Sequence, residues 1–152
     1  MPARAVSDLE DHLGYWLRIV SNAVSHGFAR KLAARDITGA EWVVLRKLYD
    51  VDAVPPSRLA ERMGMTKGAI TRLADRLIAK RLVERAANPD DRRAQTLALT
   101  AAGRRLVPEL AAIADGNDAA FFGVLDDRQR AALGRLMRRI VEGHRLSAIP
   151  TE

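Results

Sequence analysis

The 152-residue sequence predicts a mainly α-helical fold carrying one small β-ribbon. Three observations lead there. Apolar residues recur in steps of three and four over long stretches at both ends of the chain, the signature of helices with one buried stripe. Helix-start residues stand at spaced intervals: Thr38, Thr66, Thr100 and Asp126. Between two short strand-like runs lies a turn signal, Asn88-Pro89-Asp90. The length suits one domain with a real core, and 48% apolar with 29% charged residues is ordinary for a soluble globular chain. No apolar run approaches a membrane span and no secretory leader is apparent, so a cytoplasmic protein is expected. The absence of cysteine excludes disulfides, thiolate metal sites and thiol redox sensing.

In chain order, the first stripe comprises Leu9, Leu13, Trp16, Leu17, Val20, Val24, Phe28 and Leu32, and a stripe this long needs a partner surface. Thr38-Gly-Ala-Glu41 is a capping box, with Ile37 and Trp42 placed as a hydrophobic staple, and starts a helix running to about Tyr49. Pro55-Pro56-Ser57 opens a short helix that Gly64 closes. Thr66 caps the next helix, which reaches about Lys80 with Ile70, Leu73, Leu77 and Ile78 inward and Lys67, Thr71, Arg72 and Arg76 outward. Leu82–Arg85 and Thr96–Leu99 are the expected strands, flanking a loop at 86–95. Thr100 caps a long helix that Pro108 should bend. The last helix begins near Asp126 and carries Leu133, Leu136, Met137, Ile140 and Val141. The first few residues and the tail after Ser147 read as disordered.

Charge is concentrated in the middle. Between Arg58 and Arg105 there are 12 Lys and Arg against 5 Asp and Glu, while the rest of the chain holds 13 against 14, so this block carries the whole net charge of +6. A basic block containing a helix, a tight turn and a second helix, followed by a ribbon with arginines at its tip, is built to grip phosphate. A helix entering a major groove reads bases with its N-terminal residues, here Thr66, Lys67, Gly68, Ala69, Thr71 and Arg72. Gly68 and Ala69 are small enough for close approach. Arg72 can grip a guanine or a phosphate, or pair with Asp75 instead, and Thr66 can serve as a cap alone. In the loop, Arg92 and Arg93 suit a narrow minor groove. Asp90 reads as a turn residue, and so can Asp91.

These residues resemble the multiple-antibiotic-resistance regulator (MarR) family of winged helix-turn-helix transcription factors. The resemblance rests on Asp91, Arg93, Leu97, Leu99, Thr100 and Gly103, which match the family's wing signature, behind the helix-turn-helix-like run Leu59–Leu73. It implies that Arg93 is the groove arginine and that Asp91 braces the wing. It also implies a homodimer, with residues 1–33 as an N-terminal dimerisation helix, 34–103 as the DNA-binding region and 104–152 as C-terminal dimerisation helices. Family members commonly bind small aromatic or phenolic acids between the dimerisation helices and the DNA-binding lobe. The candidates here are His12, Tyr15, Trp16, Trp42 and Arg46, although Trp16 and Trp42 also fit simple core and staple roles. One departure stands out. The family usually has Gly after the recognition helix, whereas this chain has Lys80-Arg81-Leu82, so Arg81 must take the left-handed conformation or the turn must differ.

The function expected is a sequence-specific regulator, a ligand-responsive repressor binding double-stranded DNA as a homodimer on a pseudo-palindromic operator. The alternative is a ligand-blind architectural DNA-binding protein with little sequence preference. No enzyme, metal or cofactor is expected. His12 and His26 lie about 21 Å apart along one helix and cannot share a metal. Asp126-Asp127 read as capping carboxylates rather than an acid–base pair, and no nucleophile elbow, phosphate loop or dinucleotide fingerprint occurs.

Overall fold

The computed structural model describes residues 6–88 and 90–147, with Arg92 and Arg93 described for their backbone alone. The expected disorder of the first residues and of the tail past Ser147 falls largely outside them. Six helices and two strands follow in the order α1 (Leu13–Ala33), α2 (Gly39–Tyr49), α3 (Pro56–Met63), α4 (Lys67–Ala79), β1 (Val83–Asn88), β2 (Asp91–Leu99), α5 (Ala101–Phe122) and α6 (Asp127–Gly143).

Local capping chemistry sets most of these boundaries. Thr38 accepts a hydrogen bond from the Glu41 amide while the Glu41 carboxylate accepts from the Thr38 amide, closing the capping box of α2. Pro56 occupies the first turn of α3, where the missing N–H costs nothing, and Gly64 ends that helix at φ 61°. Thr66, Thr100 and Asp126 cap α4, α5 and α6 as expected. Arg81 does adopt the left-handed conformation after α4, at φ 61°. α5 runs without interruption through Pro108.

Two boundaries differ from expectation. The stripe beginning at Leu9 is not all one α-helix: Leu9–Asp11 form a single 3-10 turn, His12 is extended, and α1 starts only at Leu13. The ribbon is longer than expected, because β1 continues to Asn88 and β2 already starts at Asp91. Antiparallel pairing propagates from Val83↔Leu99 out to Ala87↔Gln95 whatever the strand propensity of the residues between. The register then jumps to Asn88↔Asp91, so residues 92–94 bulge out of the ladder without partners opposite them. Asn88 Oδ1 accepts from the Asp90 amide at 3.0 Å, which makes Asp90 a turn residue. Val54 adds a single rung outside β2, exchanging both backbone hydrogen bonds with Leu97.

The hydrophobic core is confined to the middle of the chain. Its fully enclosed members run from Leu32 through Leu45, Leu59, Ile70 and Leu97 to Leu110. α1 contributes only Leu32 to the fully buried set, and α6 contributes no residue. The apolar stripes at the two ends therefore lie open: Leu13 is 88% exposed, and Leu17, Leu136, Ile140 and Val141 are exposed with it. No helix among the described residues is long and apolar enough to cross a membrane.

Candidate nucleic-acid interface

α4 divides cleanly into two faces. Ile70, Leu73, Ala74 and Leu77 are buried, and the opposite side presents Lys67, Gly68, Thr71, Arg72 and Arg76 to solvent, with Ala69 half-buried between. Gly68, Arg72 and Arg76 follow one another at intervals of four and so form a row along the helix. A methyl group added at Gly68 would meet no atom within 4 Å, so nothing inside the subunit requires glycine there. The Thr66 hydroxyl receives the Ala69 amide at 3.1 Å, and the Thr71 hydroxyl donates to the Lys67 carbonyl at 2.9 Å. The Thr66 hydroxyl thus closes the first turn of the helix.

Asp75 is engaged by Arg85, ten residues further along the sequence, and not by its helix neighbour Arg72 among the contacts of the described residues. Its carboxylate accepts from Arg85 of β1 at 2.6 Å, tying α4 to the ribbon. Arg85 also lines a cleft of about 390 Å³ where α3, α4 and the ribbon meet, with Pro56, Ser57, Lys67, Thr71 and Gln95 around it.

The ribbon carries Asp91, Arg92 and Arg93 at its outer end, Asp91 exposed and paired in register with Asn88. The backbone at 92 and 93 lies in the bulge of β2, so both arginines are displaced from the regular ladder. At the base of the ribbon the fit is close. A methyl at Gly103 would stand 2.1 Å from the Leu82 carbonyl oxygen, so α5 can approach the ribbon only with glycine at that position.

The five residues read as an effector pocket fall into two groups within a subunit. His12, Tyr15 and Trp16 lie at the start of α1, where the Trp16 indole donates to the Glu10 carbonyl at 2.9 Å and Tyr15 and Trp16 meet edge to face. Trp42 packs edge-on against Phe28, twelve residues beyond Trp16 and about 18 Å further along the helix. Arg46 is ion-paired to Asp50 at 2.7 Å and lies 5.8 Å from the centre of the Tyr49 ring. Arg104, from the first turn of α5, also stacks on Tyr49 and donates to its carbonyl. α2 thus meets α1 through Trp42 and Phe28, and meets α5 through Tyr49 and Arg104 seven residues further along. A cleft of about 230 Å³ lies beside Phe28 between α1 and α5, bounded by Val24 and Asn117.

The exposed helix face and the ribbon beside it define a winged helix-turn-helix protein, and comparison with known proteins specifies which kind. The MarR family model matches residues 35–94. The multiple antibiotic resistance protein MarR of Escherichia coli is 32% identical over 103 residues, spanning 66% of this chain and 72% of that protein. Among solved structures, a mutant of Escherichia coli MarR complexed with operator DNA superimposes with a TM-score of 0.78 at 27% identity, over 89% of this chain and 99% of that one. Bordetella bronchiseptica BpsR, described for the regulation of its DNA binding by 6-hydroxynicotinic acid, gives a TM-score of 0.78 at 26% identity, over 90% of this chain and 97% of that one. The chain belongs to the MarR family of transcriptional regulators, and it is not an enzyme.

Proposed function

We propose that this protein is a homodimeric repressor that reads a pseudo-palindromic operator and is released from it by a small aromatic acid. The observation that carries the reading is the exposed face of α4, small and basic from Lys67 to Arg76, set beside a ribbon whose outer end holds Arg92 and Arg93. In this reading Thr66, Lys67, Gly68, Ala69, Thr71, Arg72 and Arg76 meet the major groove. Arg92 and Arg93 meet the flanking minor groove, and Asp91 supports the wing. The operator-bound MarR structure, alike over almost its whole length, supports this docking. The open apolar stripes of α1 and α6 support the dimer, since each subunit leaves them uncovered and a second copy would bury both. A dimer of this kind would work in the cytoplasm, where its DNA lies.

For the effector, the side of α2 that meets α1 and α5 suits a flat anion: Phe28, Trp42 and Tyr49 offer aromatic rings, and Arg46 and Arg104 offer cations. His12, Tyr15 and Trp16 would join such a pocket only from the second subunit. The regulation of BpsR by 6-hydroxynicotinic acid supports this ligand class.

The test separates reading from gripping. Arg93→Ala should weaken binding to every duplex and lower the salt slope by about one unit per lost phosphate contact. Arg72→Ala should in addition relax preference at one symmetric pair of base positions, costing about 1–3 kcal/mol per contact. Equal losses on preferred and random DNA for both variants would remove Arg72 from base reading and favour a non-selective architectural protein.

A further inference from the structure

We propose that Lys80 is a positioning residue for DNA reading, fixing the angle of α4 by tying its C-terminal end to the joint between α1 and α2. The proposal rests on α4 being the helix that reads DNA.

Lys80 is the first residue past α4, and its side chain is only 27% exposed. Its ammonium donates to Glu41 Oε1 at 3.1 Å and also to the Asp36 carbonyl. Glu41 Oε2 lies 3.0 Å away, close enough for the ion pair though outside hydrogen-bond geometry. Both acceptor residues belong to the joint. Asp36, at φ 58°, ends the turn after α1, and Glu41 is the fully buried third residue of α2 that closes its capping box. Glu41 therefore closes the start of α2 and holds the end of α4 at once. Burial alone would push its carboxyl above the ordinary range. The Lys80 hydrogen bond and the two Thr38 contacts outweigh that, so the group stays ionised at lower pH than usual.

A second fastening lies next to the first. The Thr100 hydroxyl, which caps α5, donates to the Arg81 carbonyl at 2.8 Å, and the Thr100 amide donates to the Leu82 carbonyl. The end of α4 is thus tied through polar contacts to the starts of both α2 and α5, while its length is held by apolar packing and by the Asp75–Arg85 pair to the ribbon. Apolar burial is non-directional and sets an angle loosely, whereas hydrogen bonds set it tightly. The leverage is large. Thirteen residues span about 20 Å, so a pivot of about 5° at Lys80 moves the first turn by about 1.7 Å. That is enough to break base contacts that need donor and acceptor about 3 Å apart.

The obvious variant, Lys80→Met, leaves a buried carboxylate without its counterion and can cost the fold. The double variant Glu41→Gln, Lys80→Met removes both charges at no change in net charge, and Glu41→Gln alone retains a residue that can close the capping box. The full-length proteins are tested against the duplex that the wild type enriches from a random pool, and against random duplexes of the same length. Measurements are made below each variant's unfolding temperature. The expected result is that the double variant and Glu41→Gln lose about tenfold in preference for the enriched duplex, as one spoiled base contact would. Affinity for random duplexes should stay within about twofold. An unchanged preference in the folded variants, whatever their thermal stability, overturns the proposal. A wild type that enriches no duplex overturns instead the reading of α4 on which it rests.

Discussion

Ile140 lies on the open stripe of α6 at 57% exposure, in a helix that buries no residue within its own subunit. If a second subunit covers that stripe, replacing Ile140 with Asp should break the dimer and spare the fold of each chain. Full burial of such a side chain is worth about 1.5–3 kcal/mol, so covering the exposed 57% contributes about 0.9–1.7 kcal/mol per subunit. Two copies lie in each dimer, giving about 1.7–3.4 kcal/mol and roughly a 20- to 300-fold rise in the dissociation constant. Placing a carboxylate in an apolar contact adds to this. Sedimentation velocity over a concentration series would report the shift, and far-UV circular dichroism would show the helix content retained. A wild type that stays monomeric at micromolar concentration, or an Ile140→Asp variant that dimerises as tightly as the wild type, would refute the argument that these stripes exist to meet a partner.

Arg81→Gly should stabilise the protein, because a non-glycine residue at φ 61° costs about 1–2 kcal/mol and glycine returns about 0.5–1 kcal/mol of that as backbone entropy. A melting temperature higher by about 1–4 °C is expected, and a lower one would show that the Arg81 side chain matters more than its backbone. The Glu41 carboxyl is held below its ordinary range, so its contribution is complete above the unfolded carboxyl value of about 4.3 and disappears as pH falls through the lower folded value. Melting curves of wild type and Glu41→Gln should therefore lie apart at neutral pH and converge in acid; a constant gap would contradict the ionised pairing. Salicylate-like acids should quench tryptophan fluorescence and release DNA over one concentration range, and Arg46→Ala should raise that range. If wild type responds and Arg46→Ala responds identically, the cation that holds the acid lies elsewhere.

The legible parts of the sequence were those decided within one turn of chain. Thr38 with Glu41, Thr66, Thr100 and Asp126 each cap a helix through contacts three residues long, and Arg81 betrayed its conformation by standing where glycine is usual. The outer parts of the ribbon were hidden because Ala86, Ala87 and Asn88 have little strand character of their own and are held by register with β2. His12 interrupts an apolar stripe that reads as continuous, and no residue type announces the break. The outward face of α4 followed from periodicity, but Asp75 with Arg85 and Glu41 with Lys80 did not, because these pairs form only once separate elements pack. The same reason explains the divided effector group. Trp16 and Trp42 are both near helices expected to meet, yet the partner of Trp42 is Phe28 from the far half of α1.

If two copies of α4 read DNA together, selection from random duplexes by the full-length protein will reveal it. The expected product is an inverted repeat whose half-sites are centred about one helical turn apart, roughly 10 base pairs, bound by one dimer. Enrichment of a single asymmetric motif bound by one subunit, or no enrichment at all, would contradict it.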